Sequence, residues 1–228
     1  MTVSKNPHDI KAMFNNIAFQ YDRNNNIISL GLHKLIKKVA LKHLCIKNND
    51  RILDECAGTG DIAAGIRSLN QNTDVIGVDF SENMIDIAKK KYPNITFLQA
   101  DCTDLPFSNN SFDIITMSFG LRNIENYQKA IRESFRVLVD GGQFLHLDFG
   151  RKNFFSKIFD FIAEKSISIF YKNQIPYEYL VKSKREFFTP ENLIKEFEKE
   201  GFLLKLRKDY LFGIISAQIF EKSKTEYC

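Results

Sequence analysis

A chain of 228 residues, 44% hydrophobic and 26% charged, has the length and balance of one globular domain with a sizeable core and room for an appended cap. Its 32 lysines and arginines against 28 aspartates and glutamates leave a net charge of +4, but the basic residues are scattered, so there is no nucleic-acid footprint; the balance favours an anionic membrane surface instead. The cysteines form no C-x-x-C pair and the histidines no H-E-x-x-H spacing, which argues against a disulfide framework or a metal site. With no signal-like start and no long uncharged apolar stretch, the expected address is the cytoplasm.

Residues 1 to about 45 have a helical period. Phe14, Ile17, Ala18 and Tyr21 share one face, and Leu32, Leu35, Ile36, Val39 and Leu44 another, so this part reads as a helical N-terminal cap. From Arg51, short apolar runs alternate with helical periods: RILDE and a helix from Asp61, TDVIGVD and a helix from Ser81, ITFLQA, FDIITMSF and a helix from about Glu125, then GQFLHLDF. Such alternation implies a parallel sheet with right-handed crossovers. Ser81 is the expected cap of the second of these helices, and Pro93 follows its end. Residues 154–171 are again helical, with Lys157, Asp160, Glu164 and Ser168 on one polar stripe and more apolar surface elsewhere than a simple surface helix needs. Beyond Pro176 and the aromatic YEYL, Thr189 caps a helix that opens on Pro190 and ends before Gly201. Two last strands, about 202–208 and 213–221, form an antiparallel hairpin at the sheet edge. The chain reads as a single α/β domain: helical cap 1–45, core 46–150, helical lid 151–188, and a closing helix and hairpin 189–228.

In an open α/β sheet, ligands bind beyond the carboxyl ends of the strands. The loop after the first strand is Asp54-Glu-Cys-Ala-Gly58-Thr59-Gly60, whose glycines admit a close backbone approach. Roughly twenty residues on, Asp79 ends the second strand, where a carboxylate accepts hydrogen bonds from ribose hydroxyls. The same glycines also fit the G-x-G-x-x-A pattern of a dinucleotide enzyme, so a nicotinamide dehydrogenase stays open on them alone. Asp54 tips the balance: it suits an ammonium group and would repel a pyrophosphate. With Asp101-Cys102 after the third strand, placed at an adenine, and with the terminal hairpin, it favours S-adenosylmethionine as cofactor.

The segments Phe14–Asp22, Leu53–Asp61, Leu105–Asp113 and above all Ser118-Phe-Gly-Leu-Arg122-Asn123 resemble the ubiquinone/menaquinone biosynthesis C-methyltransferases, and the likeness runs over most of the chain. The resemblance implies a seven-stranded, mostly parallel, Rossmann-like methyltransferase sheet with a C-terminal antiparallel hairpin. It implies methylation of a ring carbon of a polyprenylated quinol, either demethylmenaquinol or 2-polyprenyl-6-methoxy-1,4-benzoquinol, without a metal. Carried over by position, Thr59, Asp79, Asp101, Cys102 and Ser118 contact the donor, while Tyr21, Arg122 and Asn123 face the acceptor ring. Tyr177, Tyr179 and Arg185, in segments that resemble the family's C-terminal third, are expected in the acceptor pocket or as braces of the lid. The chain departs from the family pattern at Val139-Asp140, in a shortened lid before Tyr177, and at Gln218.

A phenolate is the carbon nucleophile such a reaction needs, and an arginine stays charged in proteins. Arg122 is therefore expected to stabilise the oxyanion or to orient a water that takes the proton, with Asn123 adding a directed hydrogen bond. A long isoprenoid tail needs an apolar channel or access to a bilayer, and the 154–171 helix is the candidate for peripheral membrane contact. The blander readings are that Arg122 pairs with a carboxylate, Tyr21 anchors the cap, His146 is a packed core residue and the 154–171 helix is a lid facing the core. A methyltransferase acting on another small molecule also stays open, as does self-association as a homodimer.

Overall fold

Each parallel strand forms where the sequence runs apolar, because its residues are buried on both faces. A computed structural model describes residues 5–29, 31–170 and 175–223. Its strands are β1 (Arg51–Glu55), β2 (Asp74–Asp79), β3 (Thr96–Gln99), β4 (Phe112–Ser118), β5 (Leu138–Phe149), β6 (Phe202–Tyr210) and β7 (Ile215–Lys222). They make one seven-stranded sheet in the order β3-β2-β1-β4-β5-β7-β6. β1 to β5 pair in parallel, and β7 runs antiparallel between β5 and β6, so the expected hairpin closes one edge.

Neighbouring residues on a strand enter opposite core layers. Ile52 and Ile114 join the layer under α2 (Leu32–Leu41), α3 (Asp61–Leu69) and α4 (Glu82–Lys91). Leu53 and Ile115 join the layer under α5 (Tyr127–Val137) and α8 (Pro190–Lys199). The helix starts follow from side-chain caps: Ser81 accepts from the Met84 N–H, Asn126 from Lys129 and Thr189 from Asn192. Asn126 sets the start of α5 at Tyr127, just beyond the Glu125 expected from the sequence.

The cap is α1 (Pro7–Ser29) followed by α2. Ile17 and Ala18 of α1 pack on Met84 of α4, with Phe14 and Tyr21 beside them. Asn15 ties the same helix down: its side-chain oxygen accepts from Ser81 Oγ at 2.6 Å and its carbonyl from Asn83 Nδ2 at 3.0 Å. In α2 the buried face is Ile36, Ala40 and Leu41, whereas Leu32 and Leu35 are exposed; Leu41 packs against Gly65 of α3, which places the buried face there rather than at Leu32 and Leu35.

The lid differs most from expectation. Besides α6 (Phe154–Phe170) it contains α7 (Ile175–Glu186), which the sequence reading leaves as an aromatic connection. On α6 the polar stripe turns inward at Asp160, which is buried, while Phe154 is 70% and Phe161 60% exposed. Among the described side chains of this helix, Phe154, Phe155, Ile158, Phe161 and Ile162 face outward, whereas Phe159 packs inward on Phe149. No helix among the described residues is long and apolar enough to cross a membrane.

Candidate active site

The carboxyl ends of β1, β2, β4 and β5 meet under the cap and lid. After Glu55 the chain turns through Cys56, Gly58 and Gly60, all with positive φ (53°, 55° and 87°). The two glycines serve different ends. A Cβ on Gly60 would lie 2.7 Å from Phe97 Cζ, so that glycine is required by packing, whereas a Cβ on Gly58 would meet nothing within 4 Å. Space for a ligand thus lies over Gly58.

Two adjoining cavities share Tyr21, Cys56, Gly58, Ser118 and Phe119. The smaller, about 180 Å³, is lined by Asp79, Asp101, Cys102, Thr103 and Asn123, with Ile10 and Phe14 of the cap. Asp79 accepts the Gly58 N–H at 2.8 Å and the Ser81 N–H at 2.9 Å, and burial pushes its carboxyl up despite these bonds. Asp101 accepts the Thr103 N–H at 2.8 Å. Cys102 packs its sulfur 3.7 Å from that of Cys56, and this contact together with burial pushes the Cys102 thiol well up, so it is a neutral packing group rather than a nucleophile.

The larger cavity, about 290 Å³, is lined on one side by Asp54, Thr59, Asp61, His33 and Lys37, and on the other by Arg122, Phe149, Phe159, Val181 and Lys184. Asp54 is buried. It accepts from Thr116 Oγ1 at 2.8 Å and from the Ala63 N–H at 3.1 Å, and burial pushes it up to about 7 against the Thr116 bond and the Lys37 charge. The Thr59 hydroxyl donates to Asp22 of the cap at 2.6 Å, and Asp22 is bridged through Lys91 to Asp61. Thr59 thus stands on the cavity wall with its hydroxyl already committed to α1.

Ser118 ends β4 between the two cavities, and its buried Oγ has no hydrogen-bond partner among the described residues. Next come Phe119, at φ 57°, and a single 3-10 turn, Leu121–Asn123. The turn sends its two polar residues different ways. Arg122 enters the larger cavity, donating to the Phe119 carbonyl at 2.6 Å and to Asp148 Oδ1 at 2.9 Å, with its guanidinium 5.2 Å from the Phe149 ring centre. Both members of this ion pair are buried, and Arg122 Nε and Asp148 Oδ2 lack partners among the described residues. Asn123 lines the smaller cavity and its Oδ1 is likewise unpartnered. Of the two residues expected at one acceptor ring, Arg122 thus lines the cavity that the lid also lines, and Asn123 the cavity adjoining it. Tyr21 lines both cavities, packs edge-on against Phe14 at 6.3 Å, and has its phenol pushed up by burial.

Of the lid residues expected in the acceptor pocket or as braces of the lid, Arg185 is half exposed and holds Asp160 Oδ2 of α6 at 3.3 Å. Tyr179 buries a hydroxyl without a partner among the described residues, pushed up to about 12 by burial, but lines neither cavity. The side chain of Tyr177 lies outside the described residues. The residue that does enter is Lys184. It is buried, hydrogen-bonded to Asp160, and 4.9 and 4.8 Å from the Phe149 and Phe159 ring centres. His146 is the packed core residue of the blander reading: it lies beside Phe187 and Phe197 and is pushed down to about 4 by burial. Lys37, Asp148 and Lys184 have no counterpart among the sequence-derived candidates. Asp148 alone had a local signal, a carboxylate near the carboxyl end of a strand.

A sheet of this order, with its antiparallel seventh strand, two joined cavities over the Gly58 turn and acidic residues ending β2 and following β3, defines a class I S-adenosylmethionine-dependent methyltransferase. The ubiE/COQ5 methyltransferase family model matches residues 1–222, and the chain belongs to that family. A Staphylococcus aureus protein named demethylmenaquinone methyltransferase is 33% identical over 96% of this chain and 95% of its own. Among solved structures, a SAM-dependent methyltransferase from Thermotoga maritima superposes with a TM-score of 0.68 at 23% identity, covering 93% of this chain and 99% of its own. The [4+2]-cyclase SpnF does so with a TM-score of 0.63 at 15% identity, covering 83% of this chain and 80% of its own. These two likenesses define the fold alone; a protein titled as a cyclase shares it, so the reaction rests on the family. The dehydrogenase reading of the glycines is thereby set aside. S-adenosylmethionine is the methyl donor, and the open space over Gly58, the unpartnered Ser118 Oγ and the carboxylate ending β2 fit it.

Proposed function

We propose that this enzyme methylates a ring carbon of a polyprenylated quinol in menaquinone biosynthesis, with demethylmenaquinol as acceptor. The observation that carries the reading is the Arg122–Asp148 pair, buried in the wall of an apolar cavity that touches Ser118 and opens toward an exposed apolar helix. The name of the Staphylococcus aureus relative supports the menaquinone branch.

On this reading Asp79, Asp101 and Cys102 hold the adenosine end of the donor, Gly58, Thr59, Gly60 and Ser118 its middle, and Asp54 its ammonium. S-adenosylmethionine, when bound, supplies a methyl group on a sulfonium sulfur. Arg122 stays charged and donates to an acceptor oxygen, favouring the phenolate that makes the ring carbon nucleophilic. Asp148 holds the guanidinium in place. Lys184 adds a second cation across Phe149, and Tyr21 bounds the ring where the cavities join. Alignment of ring carbon and methyl supplies roughly 7–11 kcal/mol of the barrier lowering, more than general-base help of about 10²–10⁴-fold.

The tail leaves past Ile162 and Leu211, which line the cavity. Ile162 also belongs to the outward face of α6 with Phe154, Phe155, Ile158 and Phe161, and Phe155 stacks on the exposed Phe212 at 4.5 Å. Exposed Arg151, Lys152, Lys157 and Lys165 flank that face, a combination suited to an anionic bilayer surface. The deciding experiment incubates purified enzyme with S-adenosylmethionine and either demethylmenaquinol or 2-polyprenyl-6-methoxy-1,4-benzoquinol. Methylation of the first is expected; methylation of the second alone would move the enzyme to the ubiquinone branch, and of neither would end the quinol reading.

A further inference from the structure

Asp54 and Lys37 face the same cavity from opposite layers of the structure, the first from β1 and the second from the cap helix α2. The carboxylates around Lys37 are engaged elsewhere. Asp54 is bonded to Thr116 and Ala63, Asp61 to Lys91, and Asp22 to Thr59 and Lys91. Lys37 itself makes no ion pair or hydrogen bond with any described residue, although the charges of Asp61, Asp54 and Asp22 act on it. An ammonium drawn into a cavity without a partner is costly. It is held there by the burial of its neighbours Ile36, Ala40 and Leu41, which fix the face of α2 that carries it.

The larger cavity thus has one cation, Lys37, without a partner among the described residues, beside a carboxylate already suited to an ammonium. We propose that Lys37 binds the α-carboxylate of the methyl donor, so that Lys37 and Asp54 form a pair of opposite charges matched to its zwitterionic amino-acid end. The inference rests on the reading that Asp54 takes the donor ammonium: the donor's carboxylate hangs from the same carbon and must lie within reach of Asp54's surroundings. Chemistry narrows the anion further. His33, one helical turn before Lys37, is held neutral because burial and the Lys37 charge push it down to about 4, so Lys37 offers a single positive charge. A dianionic phosphate would meet that single charge beside Asp54 and Asp61, whereas a lone carboxylate attached to an ammonium satisfies both partners. The cap is then part of the donor site as well as its cover.

The test is calorimetry on the full chain and on Lys37→Met and Lys37→Arg variants, with S-adenosylmethionine and with its decarboxylated form as probes. Wild type binds the decarboxylated form more weakly. Lys37→Met loses roughly 10- to 100-fold in affinity for S-adenosylmethionine, the worth of a charge-assisted hydrogen bond, and less than about twofold for the decarboxylated form. Lys37→Arg recovers most of the loss. If Lys37→Met does not fold, Lys37→Gln is measured in its place and gives the same split. An equal loss for both probes, or no loss for either, overturns the role of Lys37 and leaves the donor site standing. If wild type binds neither probe, the donor reading falls and the inference with it.

Discussion

Lowering the pH from 7 to 5 should weaken donor binding far more than the titration of an ordinary aspartate would allow. Asp54 is buried on β1 and pushed up to about 7, so the free protein carries it mostly protonated at pH 5 and half ionised near pH 7. An ammonium group binds the ionised form. If binding follows the ionised fraction, affinity for S-adenosylmethionine rises about 50-fold between pH 5 and 7, and binding at pH 6 releases about 0.9 proton. The sign for folding is opposite to that of an ordinary salt-bridged aspartate: the folded pKa lies above the unfolded value, so the folded state holds the extra proton and Asp54 costs stability as pH rises from about 4 to 7. His33, pushed down to about 4, stays neutral through most of this window, and Asp79, also pushed up by burial, adds a slope of the same sign. Calorimetry in two buffers of different ionisation enthalpy measures both affinity and proton release. Asp54→Asn should bind more weakly at pH 7 and lose the part of the pH dependence that Asp54 carries. A flat wild-type profile, or an Asp54→Asn profile as steep as wild type, would refute the assignment.

Arg122→Lys keeps the charge but cannot hold both the Phe119 carbonyl and Asp148 in the same geometry. Donor affinity should be unchanged while turnover falls on the order of 100-fold or more, and unchanged turnover in steady-state assays would sink the assigned role. Gly60→Ala places a Cβ against Phe97 at a φ of 87° and should cost about 1–3 kcal/mol in urea denaturation; a change lost in experimental error would show that the loop relaxes freely. Replacing Phe154 and Phe161 together by serine should lower partitioning onto phosphatidylglycerol vesicles on the order of 100-fold while leaving calorimetric donor binding intact. Equal co-sedimentation of the two proteins would remove α6 from the membrane contact.

Most of the sheet was legible because a buried parallel strand must be a continuous apolar run and its crossover helix must be amphipathic. The elements that escaped are those whose order depends on partners far along the chain. α7 opens with Pro176 and has no clean apolar stripe, so nothing local separates it from a connection. For α6 the period gave the helix but could not say which side faces inward: Lys157 and Asp160 were read as one stripe, yet Lys157 is exposed while Asp160 is buried against Lys184 of α7, and the side chains of Glu164 and Ser168 lie outside the described residues. The tight turn after β1 was readable from its two glycines, since both take the positive φ that favours glycine. Asp148, Lys37 and Lys184 were not, because each acquires its surroundings only when cap, β5 and lid converge on the larger cavity.

That convergence gives the site a polarity matched to the proposed chemistry. Carboxylates gather on the side assigned to the donor, where Asp54 and Asp61 share the larger cavity with Lys37, which has no partner among the described residues, and Asp79 shares the smaller one with Lys5. Cations gather on the side assigned to the acceptor, where Arg122 and Lys184 both approach Phe149 and each is held by its own buried carboxylate, Asp148 and Asp160. A positively charged donor and an anionic ring oxygen are thus each favoured where the reading places them. Methyl transfer neutralises both reactants, so attraction on either side weakens once the reaction is done. The alternation of β1 separates this machinery from the core: Glu55, next to Asp54 but on the opposite face, is bonded to Ser134 and pushed up to about 8 by burial. It serves packing as a mostly neutral acid, while its neighbour in the sequence meets the ligand.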